Sequence, residues 1–149
     1  MSDEGGVDVL PLEECLELLR SATPVGRIAI VANGFPIVLP VNYRLVEVVD
    51  QTWLALRTRP GNILDHAEVP AAFEIDHIDP LHHEGWSFLV RGTLHHADAY
   101  AATFRERFDP EPWITSERDA WLIIQPFEIT GRRVRAPEGE WAFNVHAYL

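Results

Sequence analysis

The chain has 149 residues, a length that suits one domain, and 47% of them are hydrophobic. Its net charge is −11 and it contains no lysine, so we expect neither nucleic acid nor an anionic membrane as a partner, because phosphate-rich surfaces are bound by basic patches. The single cysteine excludes an internal disulfide, and no apolar run approaches the roughly 20 residues that span a bilayer.

The beginning of the chain changes from an acidic segment to a helical pattern. Residues 1–9 are acidic and glycine-bearing, so we predict a flexible tail there and one domain over residues 10–149. This segment lacks the basic and apolar regions of a signal peptide, so we expect a cytoplasmic protein. After Pro11, apolar residues recur at helical spacing and predict one short helix that ends before Pro24: Leu12, Cys15, Leu16 and Leu19.

Six later segments have the composition and turn signals of strands. We predict these strands over residues 25–32, 36–48, 52–58, 70–78, 85–97 and 120–134, the last bent near Pro126. Asn33-Gly34 predicts a tight hairpin. Helical segments are expected near residues 60–66 and 99–108. Hairpin connections imply antiparallel pairing, and long strands of this number tend to close. We therefore predict a mainly β protein, a six-stranded antiparallel barrel with a few helices.

An ordered set of short motifs runs through these strands. The set is Val25-Gly26-Arg27-Ile28-Ala29, the strand over residues 36–43, Arg57-Thr58-Arg59-Pro60-Gly61, and the segments 72–76, 85–92, 121–126 and 129–133. Over about residues 10–135 this order resembles the FMN-binding split-barrel family, in its pyridoxamine 5′-phosphate oxidase-like branch. The resemblance implies a six-stranded split barrel that forms a homodimer, with two FMN sites lying across the subunit interface.

Pro40 marks the first candidate ligand contact. A proline inside a long strand removes a ladder donor, which frees neighbouring backbone groups for a ligand. The resemblance places the flavin ring against this strand, so Val41, Asn42 and Tyr43 are candidate contacts. The alternative is that Pro40 forms only a bulge and Tyr43 belongs to the barrel core.

The segment after the third strand is the candidate phosphate site. A phosphate can bind an arginine fork, a hydroxyl and the N–H groups at a helix start. The residues that offer these groups are Arg57, Thr58, Gly61 and Asn62, with Arg57 as the principal anchor. In relatives a lysine commonly follows the glycine by two positions, where this chain has Ile63, so Asn62 or Arg59 would have to compensate. The alternative is a solvated turn.

Three further residues are candidates through the resemblance. The family brings the segment of Trp86 and Ser87 to the flavin, often from the second subunit, where the indole covers the ring and the hydroxyl donates a hydrogen bond. Trp86 could equally be a core or interface residue. Arg132, in the closing segment, either reaches the cofactor or pairs with Glu74 or Asp76.

Histidines near acidic residues raise the question of a metal. Imidazole and carboxylate side chains between residues 77 and 84 would suit zinc or iron. Pro80 interrupts this segment, and the neighbours His95 and His96 point to opposite faces of a strand. We therefore predict solvated histidines and no metal site.

The expected function is that of an FMN-dependent oxidoreductase, which takes hydride from NAD(P)H or a substrate and passes it on. We nominate no catalytic side chain, because redox chemistry belongs to the flavin. One alternative is a non-catalytic module for a flavin, a deazaflavin or haem, which family members also bind. Another is a purely structural dimer.

Overall fold

The computed structural model describes residues 6–21, 25–48, 50–59, 61, 63–65, 68–97, 99, 103, 106 and 120–135. Its elements in chain order are β1 (Gly6–Leu10), α1 (Leu12–Ser21), β2 (Val25–Ala32), β3 (Phe35–Val48), β4 (Gln51–Thr58), β5 (Val69–Asp79), β6 (Glu84–His96) and β7 (Ala120–Arg135). The helix after Pro11 and the strand starting at Val25 lie where the sequence predicts them. The helix expected near residues 99–108 falls largely outside the described residues.

Six strands close into an antiparallel ring. The hydrogen-bonded order is β7, β4, β3, β2, β5 and β6, and β6 pairs again with β7. This ring confirms the predicted barrel, but the strand count is seven, because β1 adds to the outside of β7. Residues 6–9 of the predicted tail therefore pair with residues 132–135.

The barrel opens where β3 changes partners. Residues 35–42 of β3 pair with β2, whereas residues 43–48 pair with β4. The last pair with β4 joins Tyr43 to Leu56, and beyond it β4 follows β7, with Arg57 opposite Trp121. Among the described pairs, none joins β3 to β4 beyond this point, so the two strands separate there.

The apolar stripe of the helix is buried against the barrel core. Cys15 and Leu19 lie in the core, with 1% and 2% exposure. The strand beneath the helix can carry only a glycine at position 131, because a Cβ there would lie 2.5 Å from both the Cys15 sulfur and the Phe88 ring. The acidic first turn and Arg20 in the last turn suit the helix dipole.

Local turns agree with the sequence in two places and differ in one. Asn33 and Gly34 have φ values of 52° and 80°, as the predicted tight hairpin requires. The register of β6 and β7 shifts between Arg91 and Gly92, next to Pro126, where a bend is predicted. Between residues 60 and 66, the described residues form turns and not the expected helix.

Candidate functional site

Strand alternation sends the predicted ligand residues to opposite faces of the barrel wall. Val41, Tyr43, Thr58 and Trp86 share the parity of the core residues and face inward. The outward-facing group is Asn42, Arg57, Ser87 and Arg132. A ligand on the outside of the barrel can therefore meet the side chains of the second group only.

Tyr43 belongs to the core. Its side chain is 2% exposed, and its hydroxyl donates a hydrogen bond of 3.1 Å to the carbonyl of Leu19. The ring packs edge-on against Phe73, with 4.8 Å between centroids. Burial raises the pKa of Tyr43 to about 12. The position favours the packing alternative over ligand contact for this side chain.

The residues of β4 and the following turn that are predicted to bind phosphate already contact other parts of the protein. The Arg57 guanidinium lies 5.0 Å from the ring centroid of Trp121, which is fully buried. The N–H of Gly61 donates 2.8 Å to a carboxylate oxygen of Asp65. Thr58 is only 3% exposed. Asn62 lies outside the described residues.

Trp86 lines a cleft formed by the end of β5, the start of β6 and the end of β7. Its ring stacks obliquely on Phe88, with 4.9 Å between centroids, and points away from Ser87. The cleft has a volume of about 180 Å³, below the roughly 300 Å³ of small ligand pockets. Its other lining residues are His77, Asp79, Glu84, Gly85, Arg133, Val134 and Arg135. Arg133 and Arg135 form ion pairs with Glu14 and Asp8, at 3.1 and 3.2 Å.

A row of polar residues crosses the outer face of β5, β6 and β7. Asp76 lies opposite Ser87, and Ser87 lies opposite Arg132. On β2, Arg27 donates from Nη1 to Glu74 at 2.9 Å and to Asp76 at 3.4 Å. We call these five residues the outer polar patch.

Arg132 differs from most other arginines in the described part of the chain. Arg27 already binds Glu74 and Asp76, the acids that the sequence suggested as partners of Arg132. Other arginines are committed to acids or to a backbone oxygen: Arg20 to Glu47, Arg91 to Glu128, Arg133 to Glu14, Arg135 to Asp8 and Arg44 to the carbonyl of Tyr43. Within the described residues, Arg132 has no ion pair and its side chain is exposed.

The carboxyl group of Glu74 holds a proton more readily than a free glutamate. Its pKa is raised first by burial, then by a hydrogen bond to Asp76 and by the negative charge of that residue. The hydrogen bond and charge of Arg27 act in the opposite direction. From the sequence, both acids are expected only as possible partners for Arg132. Their alternation on one predicted strand was the available signal that they share a face.

Two of the histidines lie next to acidic side chains. His82 lies 2.7 Å from Asp79, and His96 lies 3.2 Å from Asp65. Among the described residues, no group of three His, Cys, Asp or Glu side chains is arranged to hold a metal ion. The same part of the chain has no helix that is long and apolar enough to span a membrane.

Comparison with known proteins assigns the family. A family model described as pyridoxamine 5′-phosphate oxidase matches residues 11–133. The chain belongs to this family. The resemblance found in the sequence is thereby confirmed over nearly the whole domain.

This member of the pyridoxamine 5′-phosphate oxidase family is similar to two solved structures and to a further protein sequence. An FAD-binding protein from Mycobacterium smegmatis is 29% identical, with a TM-score of 0.70 over 86% of this chain and 98% of that chain. A pyridoxamine 5′-phosphate oxidase candidate from Corynebacterium glutamicum is 28% identical, with a TM-score of 0.65 over 89% and 96%. An uncharacterised Mycobacterium tuberculosis protein is 28% identical over 85% of each chain.

Within this family member, the outward-facing arginines Arg57 and Arg132 lie near opposite ends of β7. Arg57 is paired with Trp121 near the start of β7, whereas Ser87 is paired with Arg132 near its end. Between positions 121 and 132 a straight strand would span roughly 36 Å, at ~3.3 Å per residue. This separation along β7 favours two different sites for Arg57 and Arg132 of one chain.

Proposed function

We propose that this protein binds FMN and acts as an oxidoreductase, passing hydride from NAD(P)H or another donor to an acceptor. The observation that carries the proposal is the exposed Arg132 beside Ser87, which has no ion pair among the described residues. An arginine and a hydroxyl on neighbouring strands suit a phosphate. We therefore move the proposed phosphate anchor from Arg57 to Arg132.

The outer face of β2 and β3 offers apolar surface that suits a flavin ring. Flavin is largely apolar on its two faces, and it needs apolar cover. Val31 and Val38 on the outer face of β2 and β3 are 67% and 62% exposed, and Pro40 lies directly opposite Arg27. β2 lies three strands from β7 in either direction around the barrel, so this apolar surface would cover a flavin anchored at Arg132 only from a second copy of the chain.

A homodimer is part of the proposal. Arg132 on β7 and Val31 on β2 lie on opposite sides of one barrel, so one flavin can touch both only if a second copy supplies one of them. The exposed Val31, Phe35 and Val38 offer apolar surface that a partner would cover. The NAD(P)H that the reaction would consume supports a cytoplasmic location.

Each residue would have a limited role. The flavin, when bound, supplies hydride acceptance and donation. Arg132 and Ser87 would bind and orient its phosphate, and Val31 and Val38 of the second copy would exclude water from the ring. Among the described residues we assign no side chain to a catalytic step.

The test begins with the colour of the purified protein. We expect flavin absorption in the protein as isolated or after reconstitution, and FMN as the chromophore released on denaturation. Release of FAD, which the Mycobacterium smegmatis relative binds, would correct the nucleotide. A deazaflavin or haem spectrum, or a protein that stays colourless with FMN and FAD, would overturn the proposal.

Turnover separates an enzyme from a binding module. We expect NAD(P)H to bleach the bound flavin without air, and oxygen or another acceptor to restore its colour. Arg132→Ala, with FMN added to equal occupancy, should bleach at a similar rate, because Arg132 is assigned to binding only. Bound flavin that no nicotinamide donor reduces would favour the non-catalytic module.

A further inference from the structure

The outer polar patch places two carboxyl groups beside the proposed phosphate anchor. Two negative charges there would repel an anion. We propose that Glu74 and Asp76, held together by Arg27, share one proton, and that an anionic ligand at Ser87 and Arg132 binds with uptake of that proton. The inference rests on the proposed function in naming FMN as the ligand.

The geometry forces the two acids to share one cation. Glu74 and Asp76 are two positions apart on β5, so both face outward. One nitrogen of Arg27 contacts both carboxylates, at 2.9 and 3.4 Å, and their side chains are 31% and 30% exposed. With both acids ionised, the trio carries one net negative charge in a half-buried place. One proton makes it neutral.

A bound anion would sense this charge directly. Asp76 faces Ser87 on the next strand, and Arg132 lies one strand further. At ~4.8 Å per strand, Asp76 and Arg132 are roughly 10 Å apart, which is about one Debye length at 0.1 M salt. An anion held between them disfavours ionisation of the pair. By linkage, protonation of the pair must equally favour the anion.

The neighbouring elements offer no other proton-binding group facing the pair within the described chain. On β2 the facing group is Arg27, and on β3 it is Pro40 across from Arg27. On β6 the groups opposite Glu74 and Asp76 are Leu89 and Ser87. Further charges on this face are Arg132 on β7 and the ion pair of Arg91 with Glu128.

The chemistry of Glu74 agrees with this geometry. Burial, then the hydrogen bond and charge of Asp76, raise its pKa above the usual value, while Arg27 lowers it. Glu74 therefore keeps its proton to higher pH than a lone glutamate would, and a nearby phosphate raises its proton affinity further.

Calorimetry measures the proposed proton uptake. FMN is titrated into the protein at several pH values, in buffers that differ in ionisation enthalpy, so that the protons taken up per ligand are counted. We expect the affinity of the parent to fall by up to about tenfold per pH unit where uptake approaches one proton. Glu74→Gln places a permanent amide at the pair, so it should retain FMN binding and lose this uptake.

Two controls isolate the pair. The phosphate of FMN has its own proton equilibrium, but that contribution is common to the parent and Glu74→Gln, so their difference is the measured quantity. Glu128→Gln changes another arginine-paired acid on the same face and should behave as the parent. If Glu74→Gln fails to fold, Asp76→Asn serves, because it removes the other half of the pair.

The outcomes distinguish the inference from the function on which it rests. FMN binding with equal proton uptake in the parent and Glu74→Gln would overturn the inference and leave the proposed function intact. Failure of the parent to bind either FMN or inorganic phosphate at any pH would overturn both. Without ligand, NMR of the Glu74 carboxyl should show its pKa fall in Asp76→Asn, and an unchanged pKa would contradict the shared proton.

Discussion

Two regions of this barrel carry arginine next to a hydroxyl residue, and they differ in what those groups already contact. At the end of β4, Arg57 lies over Trp121, Thr58 is buried, and the Gly61 N–H donates to Asp65. On the outer polar patch, Arg132 is exposed beside Ser87. The sequence favours the first region as the anion site, whereas the geometry favours the second.

The difference lies in competition within the folded chain. A guanidinium that stacks on a buried indole gives up that contact when it turns to a ligand, and cation–π contacts of this kind contribute about 0.5–2 kcal/mol. A backbone N–H that already serves a carboxylate is similarly occupied. Anion affinity therefore depends on which donors remain available after folding, and residue type alone does not reveal this.

The largest effect should come from replacing Trp121, over whose ring the Arg57 guanidinium lies. Trp121 is fully buried, so Trp121→Ala should lower the free energy of unfolding by about 3–5 kcal/mol, through lost packing and a cavity. Chemical denaturation measures the loss. Trp53→Ala changes a half-buried tryptophan that packs against the buried cluster of Val46, Ala55, Ala97, Trp121 and Ile123, and it should cost less. A stable Trp121→Ala with weakened FMN binding would make the end of β4 a ligand site after all.

A smaller effect is expected at Tyr43. Tyr43→Phe leaves the Leu19 carbonyl without its donor and should cost about 1 kcal/mol in urea unfolding, with FMN affinity unchanged. The pKa of Tyr43 is raised to about 12, so its contribution is complete below pH 10 and is lost as the pH rises towards 12. The difference between parent and variant should therefore shrink over that interval. Weakened FMN binding would instead assign Tyr43 to the ligand.

The smallest effect is expected at Glu74, within the outer polar patch. Because its pKa is raised, Glu74 contributes stability at pH values below its usual range and loses it as the pH rises. Glu74→Gln cannot ionise, so relative to the parent its melting temperature should be higher at pH 7 than at pH 4. The shift should be smaller than that of Tyr43→Phe. A difference in melting temperature that does not change with pH would contradict the shared proton.

The barrel could be predicted from sequence because its signals are local. Alternation, turn residues and Pro11 delimit α1 and the six strands of the ring. β1 gave no such signal, since Val7 and Val9 are 59% and 80% exposed and only Leu10 is buried. Its pairing with the end of β7 is a contact between the two ends of the described chain, which local pattern cannot reveal.

The candidate site could be predicted only in part. Ser87 and Arg132 were among the expected residues, and the structure places them side by side. The inward direction of Tyr43 and Thr58 depends on register, and the bond from Gly61 to Asp65 depends on turn geometry. Neither follows from residue type and spacing. The pairing of Glu74 with Asp76 depends on Arg27, which binds both and lies on another strand.

The comparison of FMN with riboflavin in two arginine variants tests the central claim most directly. Riboflavin lacks the phosphate, so losing the anchor should affect FMN alone. A charged hydrogen bond contributes about 1.5–3 kcal/mol, so Arg132→Ala should weaken FMN binding roughly 10- to 150-fold and leave riboflavin nearly unchanged. Arg57→Ala should change neither affinity appreciably. If Arg57→Ala weakens FMN selectively while Arg132→Ala does not, the anion site lies at the end of β4 and the account is contradicted.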